Sequence, residues 1–97
     1  MHSYSLTVAA RKDMIEIGHY TVEKWGKRQR DKYLKQLDDA FKLLARQPEI
    51  GKEAEDIKPG YKKFGQGSHI IFYRAGKDSK IVVIRILHNS MDVDRHL

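Results

Sequence analysis

The segment Lys80-Ile81-Val82-Val83-Ile84-Arg85-Ile86-Leu87 is an apolar run interrupted only by Arg85. A run of this length, bounded by the turn signal Gly76-Lys77-Asp78-Ser79, reads as a strand. Period-two alternation sends Val82, Ile84 and Ile86 to one side and Ile81, Val83, Arg85 and Leu87 to the other. Both sides are apolar, so the strand needs cover on both faces and belongs at the centre of a sheet. Whatever else the chain forms must supply that cover.

The remaining elements follow from periodicity. Ser3-Tyr4-Ser5-Leu6-Thr7-Val8 alternates, with Tyr4, Leu6 and Val8 on one side of a half-buried strand. Thr7 or a neighbour caps a helix from about Ala9 to Trp25, whose stripe is Met14, Ile17 or Gly18, Thr21 and Trp25. Gly26 ends it. A second helix spans about Arg28 to Arg46, with the stripe Tyr33 or Leu34, Leu37, Ala40 or Phe41, and Leu44. Asp31–Lys35 and Asp38–Lys42 are acid-to-base pairs at a spacing of four. A connection of two or three residues makes the helices an antiparallel hairpin. Pro48 ends the second helix, and residues 47–60 form a polar connector with a turn at Pro59-Gly60. Short strands at Tyr61–Phe64 and Ser68–Arg74 precede the apolar one.

The predicted order is β-α-α-β-β-β, an α+β fold with the helical hairpin packed on one face of a small antiparallel sheet. A chain of 97 residues is expected to be a single domain, residues 1–97, burying roughly three-fifths or more of its unfolded surface. Two side-by-side helices cover one face. The other is either bare, and then a partner-binding surface, or covered by residues 47–57 and 89–97.

Charge and composition narrow the function classes. Nineteen Lys and Arg against 13 Asp and Glu give a net charge of +6, spread over both halves of the chain. That balance favours an acidic partner, or is simply a basic solvated surface. The absence of cysteine excludes disulfides, thiolate metal sites and a cysteine nucleophile. The histidines, His2, His19, His69, His88 and His96, lack ligand spacing, so neither a metal nor another cofactor is expected. No signal peptide or membrane span is legible, which makes the cytoplasm the expected location.

The chemistry-bearing residues cluster late. A metal-free ribonuclease needs a base, an acid and cations on the phosphate, and Arg74, Arg85 and His88 are the candidate set. Alternatively Arg85 pairs with Asp92 or Asp94, and His88 is a capping or packing residue. Trp25 either packs in the core or contacts a partner at the hairpin's end. Lys24, Lys27, Arg28, Arg30 and Lys32 make a basic knob at the hairpin tip, without the interleaved aromatic residues that stack unpaired bases.

Several landmarks, in order, carry a family resemblance: Tyr4-x-Leu6, Ala10-x-x-Asp13, Ile17, Trp25-Gly26, Gln29-x-x-x-Tyr33-x-x-x-Leu37 and Leu44-Ala45-x-x-Pro48-x-x-Gly51. They continue with Ile57-Lys58-Pro59-Gly60-Tyr61, Ser68-His69-x-x-Phe72-Tyr73-Arg74, Arg85-Ile86-Leu87-His88 and Met91-Asp92-x-x-Arg95-His96-Leu97. Together they resemble the RelE/ParE toxin superfamily of bacterial toxin–antitoxin pairs, and its ParE branch in particular.

The resemblance implies the same fold and a toxin that binds DNA gyrase directly, stabilises its cleaved-DNA state and catalyses nothing itself. It also implies neutralisation by a ParD-type antitoxin in a toxin–antitoxin hetero-oligomer, with nucleic acid met only through gyrase. Target contacts are then expected at Arg85, His88, Asp92, Arg95 and His96, and antitoxin contacts at Tyr4, Leu6, Trp25, Val83 and Leu87. The RelE branch, a ribosome-dependent endoribonuclease, is the alternative. Its relatives commonly carry a tyrosine near the C-terminus, and here no tyrosine follows Tyr73.

Overall fold

The computed structural model describes residues 3–91 and residue 97. The elements are β1 (Ser3–Leu6), α1 (Val8–Trp25), α2 (Lys27–Arg46), a 3-10 turn at Pro48–Ile50, β2 (Lys52–Glu53), β3 (Lys62–Gln66), β4 (His69–Ala75) and β5 (Lys80–His88). They form one five-stranded sheet in the order β1-β5-β4-β3-β2, with the two helices packed against it. The α+β expectation holds. The sheet is mixed rather than antiparallel, because β1 runs parallel to β5 while every other pairing is antiparallel. A parallel neighbour requires a long crossover, and the whole helical hairpin lies between these strands in the chain.

Local signals explain the helix limits. Thr7 Oγ1 accepts the Ala10 amide at 3.0 Å and donates to the Ile84 carbonyl at 2.7 Å, so one hydroxyl caps α1 and ties it to β5. Val8, expected to extend the first strand, is instead the first helical residue and is exposed. Gly26 alone joins the helices at φ +89°, a shorter link than the expected two or three residues, in a conformation glycine adopts freely. On α2, Asp38–Lys42 forms as predicted. Asp31 pairs with Arg30, however, and Lys35 pairs with Asp39.

The core forms where the α2 stripe meets the sheet. Leu37, Ala40, Phe41, Leu44 and Ala45 pack with Ile71, Tyr73, Ile81, Val83 and Ile86, joined by Ala10 and Ile17 of α1. Each large apolar side chain removed from water contributes about 1.5–3 kcal/mol. Trp25 is not among them. It is the last residue of α1 and is 70% exposed, so the core-packing expectation fails.

The facing pattern of β5 is half right. Phe72 pairs with Arg85 and Tyr73 with Val83, so Ile84 is an extra residue in a β-bulge. The bulge reverses the alternation: Ile81, Val83 and Ile86 all join the helix-side core. The expectation of a bare second face fails as well. Phe72 and Leu87, which alternate with the helix-side residues Ile71 and Ile86, are each 1% exposed. Ala54 of the connector is also fully buried outside the helix-side core. Among the described residues, the exposed large apolar side chains are Val8, Ile15, Tyr20, Trp25, Ile50 and Met91, and the first four belong to α1. The surplus apolar surface lies on a helix, not on the sheet.

Candidate functional site

β1 stops opposite Val83, which leaves the next stretch of the β5 edge without a neighbouring strand. The start of α1 takes over that edge. The Thr7 amide donates to the Val83 carbonyl at 3.1 Å, and the Thr7 hydroxyl serves Ile84. Six residues further on, Asp13 accepts the Ile86 amide at 3.0 Å. The same carboxylate receives Arg85 through Nε at 2.7 Å and a terminal nitrogen at 2.9 Å, a two-pronged bond. Asp13 is buried, and its hydrogen bond is the main reason the Arg85 guanidinium is pushed above its ordinary pKa. Asp13 of α1 therefore supplies an acid to Arg85, while Asp92 and Asp94, the acids expected from sequence, lie outside the described residues.

At the end of β5, His88 lies directly across from His69 of β4, the rings meeting edge to face with centroids 5.4 Å apart. His69 Nδ1 is 2.6 Å from the Tyr33 hydroxyl of α2. That hydroxyl also accepts the Ser68 amide and lies 3.2 Å from the Gln66 carbonyl. His88 Nδ1 accepts the Ser90 amide at 3.2 Å and contacts the Ser90 hydroxyl at 2.7 Å. An Nδ1 that accepts an amide leaves the imidazole proton on Nε2. Burial, and secondarily the neighbouring His88, lower the pKa of His69, with Asp13 acting weakly in the opposite sense. Burial raises that of Tyr33 against the Ser68 amide. At neutral pH the cluster is thus an uncharged imidazole beside an intact phenol.

These groups line a cleft between α1 and the β4–β5 end of the sheet. One chamber of about 570 Å³ is walled by Tyr20, Thr21, Trp25, Gln29, Tyr33, Ser68, His69 and His88. A second, of about 400 Å³, shares Tyr20, His69 and His88 and adds Asp13, Glu16, Ile17, Ile86, Ser90 and Met91. Both fall in the size range of small-ligand sites. No group of three His, Asp or Glu side chains capable of holding a metal gathers among the described residues.

The residues singled out from sequence fall in separate places. Arg74 is exposed at the far end of β4, opposite Val82, whereas His88 lies opposite His69 at the other end. Five residues of strand separate Arg74 from His69, roughly 17 Å. With Arg85 bound to Asp13, the candidate nuclease set does not converge. Of the expected target contacts, His88 lines the cleft, while Asp92, Arg95 and His96 lie outside the described residues.

Of the expected antitoxin contacts, Val83 and Leu87 are buried and present no surface, for the reasons given by the bulge and the covered second face. Tyr4 and Leu6 pack partly against the core, Tyr4 with its hydroxyl on Asp38 and its ring 5.2 Å from Phe41. Trp25 alone is fully presented. Sequence reasoning missed Tyr20, Tyr33 and His69. Tyr33 lies on the core stripe of α2, and no spacing links it to a histidine 36 positions later.

Comparison with known proteins gives one answer along the whole chain. Residues 4–93 match the family described as the ParE toxin of the type II toxin–antitoxin system parDE. Toxin ParE1 of Mycobacterium tuberculosis is 43% identical over 97% of this chain and 96% of its own length. Toxin ParE1 of Caulobacter vibrioides is 34% identical over 100% of this chain and 99% of its own. Among solved structures, a chain of the chromosomal ParDE system of P. aeruginosa superposes with a TM-score of 0.74 at 21% identity, covering 91% of this chain and 96% of that one. One from the toxin–antitoxin complex RelBE2 of Mycobacterium tuberculosis gives 0.64 at 20%, covering 91% and 98%. At those identities the two structures speak to the fold alone. With the family match spanning nearly all of the chain, this protein belongs to the ParE toxins of type II toxin–antitoxin systems.

Proposed function

We propose that the protein acts in the bacterial cytoplasm by binding DNA gyrase and stabilising its cleaved-DNA state, without making or breaking a bond itself, and that a ParD-type antitoxin neutralises it. Among the described residues no helix is long and apolar enough to cross a membrane, which is compatible with that setting. The observation that carries the reading against a ribonuclease is the dispersal of the cationic residues. Phosphate cleavage without a metal needs positive groups on the reacting phosphate. Arg85 is held by a buried carboxylate, and Arg74 lies at the opposite end of β4 from the histidine pair.

The target would be met at the end of β5, by His88 with Asp92, Arg95 and His96 beyond it. The antitoxin would take the exposed side of α1, where Val8, Ile15 and Trp25 leave apolar surface for a partner's amphipathic segment, and the outer edge of β1. Tyr4 and Leu6 would contribute from that edge.

Purified gyrase decides the matter. The protein should inhibit supercoiling and accumulate cleaved DNA, and the combined substitution of Arg95 and His96 by alanine should abolish both with the fold intact. Unchanged supercoiling, together with codon-positioned cuts in mRNA on translating ribosomes, would transfer the assignment to the RelE type. An antitoxin partner predicts that a co-expressed ParD-type protein restores gyrase activity, and that Trp25→Ser weakens the complex.

A further inference from the structure

The larger chamber is unusual in its lining. Five of its walls are rings, Tyr20, Trp25, Tyr33, His69 and His88, and none is an aliphatic side chain. A groove that seats an amphipathic helix offers aliphatic or methionine-rich anchorage instead. Tyr20 and Trp25 are 58% and 70% exposed, so their faces are available to a flat partner. Lys24 places its ammonium 5.9 Å from the Tyr20 ring centroid, and the exposed Lys27 and Arg28 follow immediately on α2. The acids Asp13 and Glu16 belong to the other chamber.

Hydrogen-bond direction points the same way. His88 accepts at Nδ1, which leaves an Nε2–H donor. Tyr33 has one hydroxyl hydrogen; on the shorter contact, to His69 Nδ1, it leaves His69 with an Nε2–H donor as well.

We propose that this chamber binds an unpaired nucleotide of a single-stranded nucleic acid, its base stacked on Tyr20 and Trp25 and its phosphate accepting from the two imidazoles. Gln29, with an amide able both to donate and to accept, is placed to meet the edge of the base. The lysines and the arginine at the hairpin tip take the neighbouring phosphates. Aromatic stacking beside a basic track is how sequence-tolerant single-strand sites are built. The site gives the toxin a direct contact with nucleic acid, beyond anything reached through a protein target.

Trp25 is the only tryptophan in the chain, so its fluorescence reports occupancy directly. The full chain, without gyrase, is titrated with short oligothymidylate, short oligouridylate, a duplex of the same length, free thymidine monophosphate and an acidic amphipathic peptide. Saturable quenching by either single strand, weaker with duplex and with free nucleotide, and falling with added salt, sustains the proposal. The two strands tell a DNA source from an RNA source. Tyr20→Ala, at an exposed position, should weaken strand binding about tenfold. Trp25→Leu, followed by anisotropy of a labelled strand, should do the same. Silence of both strands, equal binding by duplex or mononucleotide, quenching by the peptide alone, or undiminished affinity in folded Tyr20→Ala overturns it. Because gyrase is absent, failure here leaves the gyrase reading standing.

Discussion

Asp13 holds Arg85 by two nitrogens and the Ile86 amide by a third bond, so one carboxylate completes both an ion pair and the edge of a strand. The ladder of β1 ends at Val83, and Asp13 supplies beyond it an acceptor that another strand residue would have provided. Arg85 therefore has a structural role in joining α1 to β5.

Replacing Asp13 by alanine removes an acceptor shared by a half-buried guanidinium and a buried amide. Removal of one partner from a fully buried pair typically costs about 3–5 kcal/mol, and the partial exposure of Arg85 puts the expectation at the lower end. Urea unfolding of Asp13→Ala should show a loss of that size, and Asp13→Asn, which retains an acceptor oxygen, a smaller one. In the double variant Asp13→Ala, Arg85→Met part of the loss should return, since the guanidinium that Asp13 received is removed with it. A change near zero in the single alanine variant would remove Asp13 from this role. The same experiment bears on toxicity, because any loss of activity on substituting Arg85 must first be corrected for lost fold.

Gly67 and Gly60 separate two costs. Both have positive φ, at +59° and +82°. A methyl at Gly60 meets nothing within 4 Å, whereas one at Gly67 would come within 2.6 Å of Tyr33 Cε1 and 2.8 Å of its hydroxyl. Gly60→Ala should cost about 1 kcal/mol, from backbone strain alone. Gly67→Ala should cost about 1–3 kcal/mol more, from the forced shift of Tyr33. It should also disturb the His69 ring resonances in an NMR spectrum while Gly60→Ala leaves them in place. Equal stabilities for the two variants would mean that Tyr33 moves aside freely.

The elements were legible where one period dominates. The α2 stripe named most of that helix's core residues, missing Ala45, and Thr7, Gly26 and Pro48 marked the boundaries through their own chemistry. The failures have specific causes. A bulge at Ile84 adds one residue, and period-two reasoning then assigns every later side chain to the wrong face. The parallel pairing of β1 with β5 depends on where the hairpin returns the chain, which no local pattern encodes. Asp13 lies one residue before Met14 on α1, and no local pattern links it to Arg85 or to the Ile86 amide on the open edge of β5. The cleft was hidden for a similar reason. Its rings come from α1, α2, β4 and the last residue of β5, which meet only in the folded molecule.

Tyr4 joins β1 to α2 through Asp38, and its ionisation should reveal the contact. Burial first, and then the hydrogen bond and charge of Asp38, push its pKa up to about 12. Among the five tyrosines, one should therefore ionise last in an ultraviolet titration, and that step should vanish in Tyr4→Phe. Because the folded pKa is raised, the associated stability is present below the ordinary value near about 10 and is lost as pH rises toward the folded one. Asp38→Asn should bring the step down only part of the way, since burial is the larger cause. Ionisation of all five near the ordinary value would show that Tyr4 is solvated.

His69 makes the opposite prediction at the acid end. Its pKa is lowered, chiefly by burial and then by His88, so the folded chain resists protonation where the unfolded chain accepts it. Between the unfolded value, about 6.5, and the lower folded one, the unfolded state binds more protons, and stability falls as pH drops through that window. Below the folded value the loss levels off. Urea midpoints should accordingly decline as pH falls from about 7.5 through the unfolded value. In His69→Gln that part of the decline should disappear. His88→Gln should shift the His69 titration upward, since it removes the second cause and leaves burial in place. Tyr33→Phe keeps the ring but removes the hydroxyl at Nδ1, so it tests whether the hydrogen bond or the enclosure governs the histidine. If burial governs, the window persists in Tyr33→Phe; an acid limb identical in wild type and His69→Gln would mean that the imidazole is open to water.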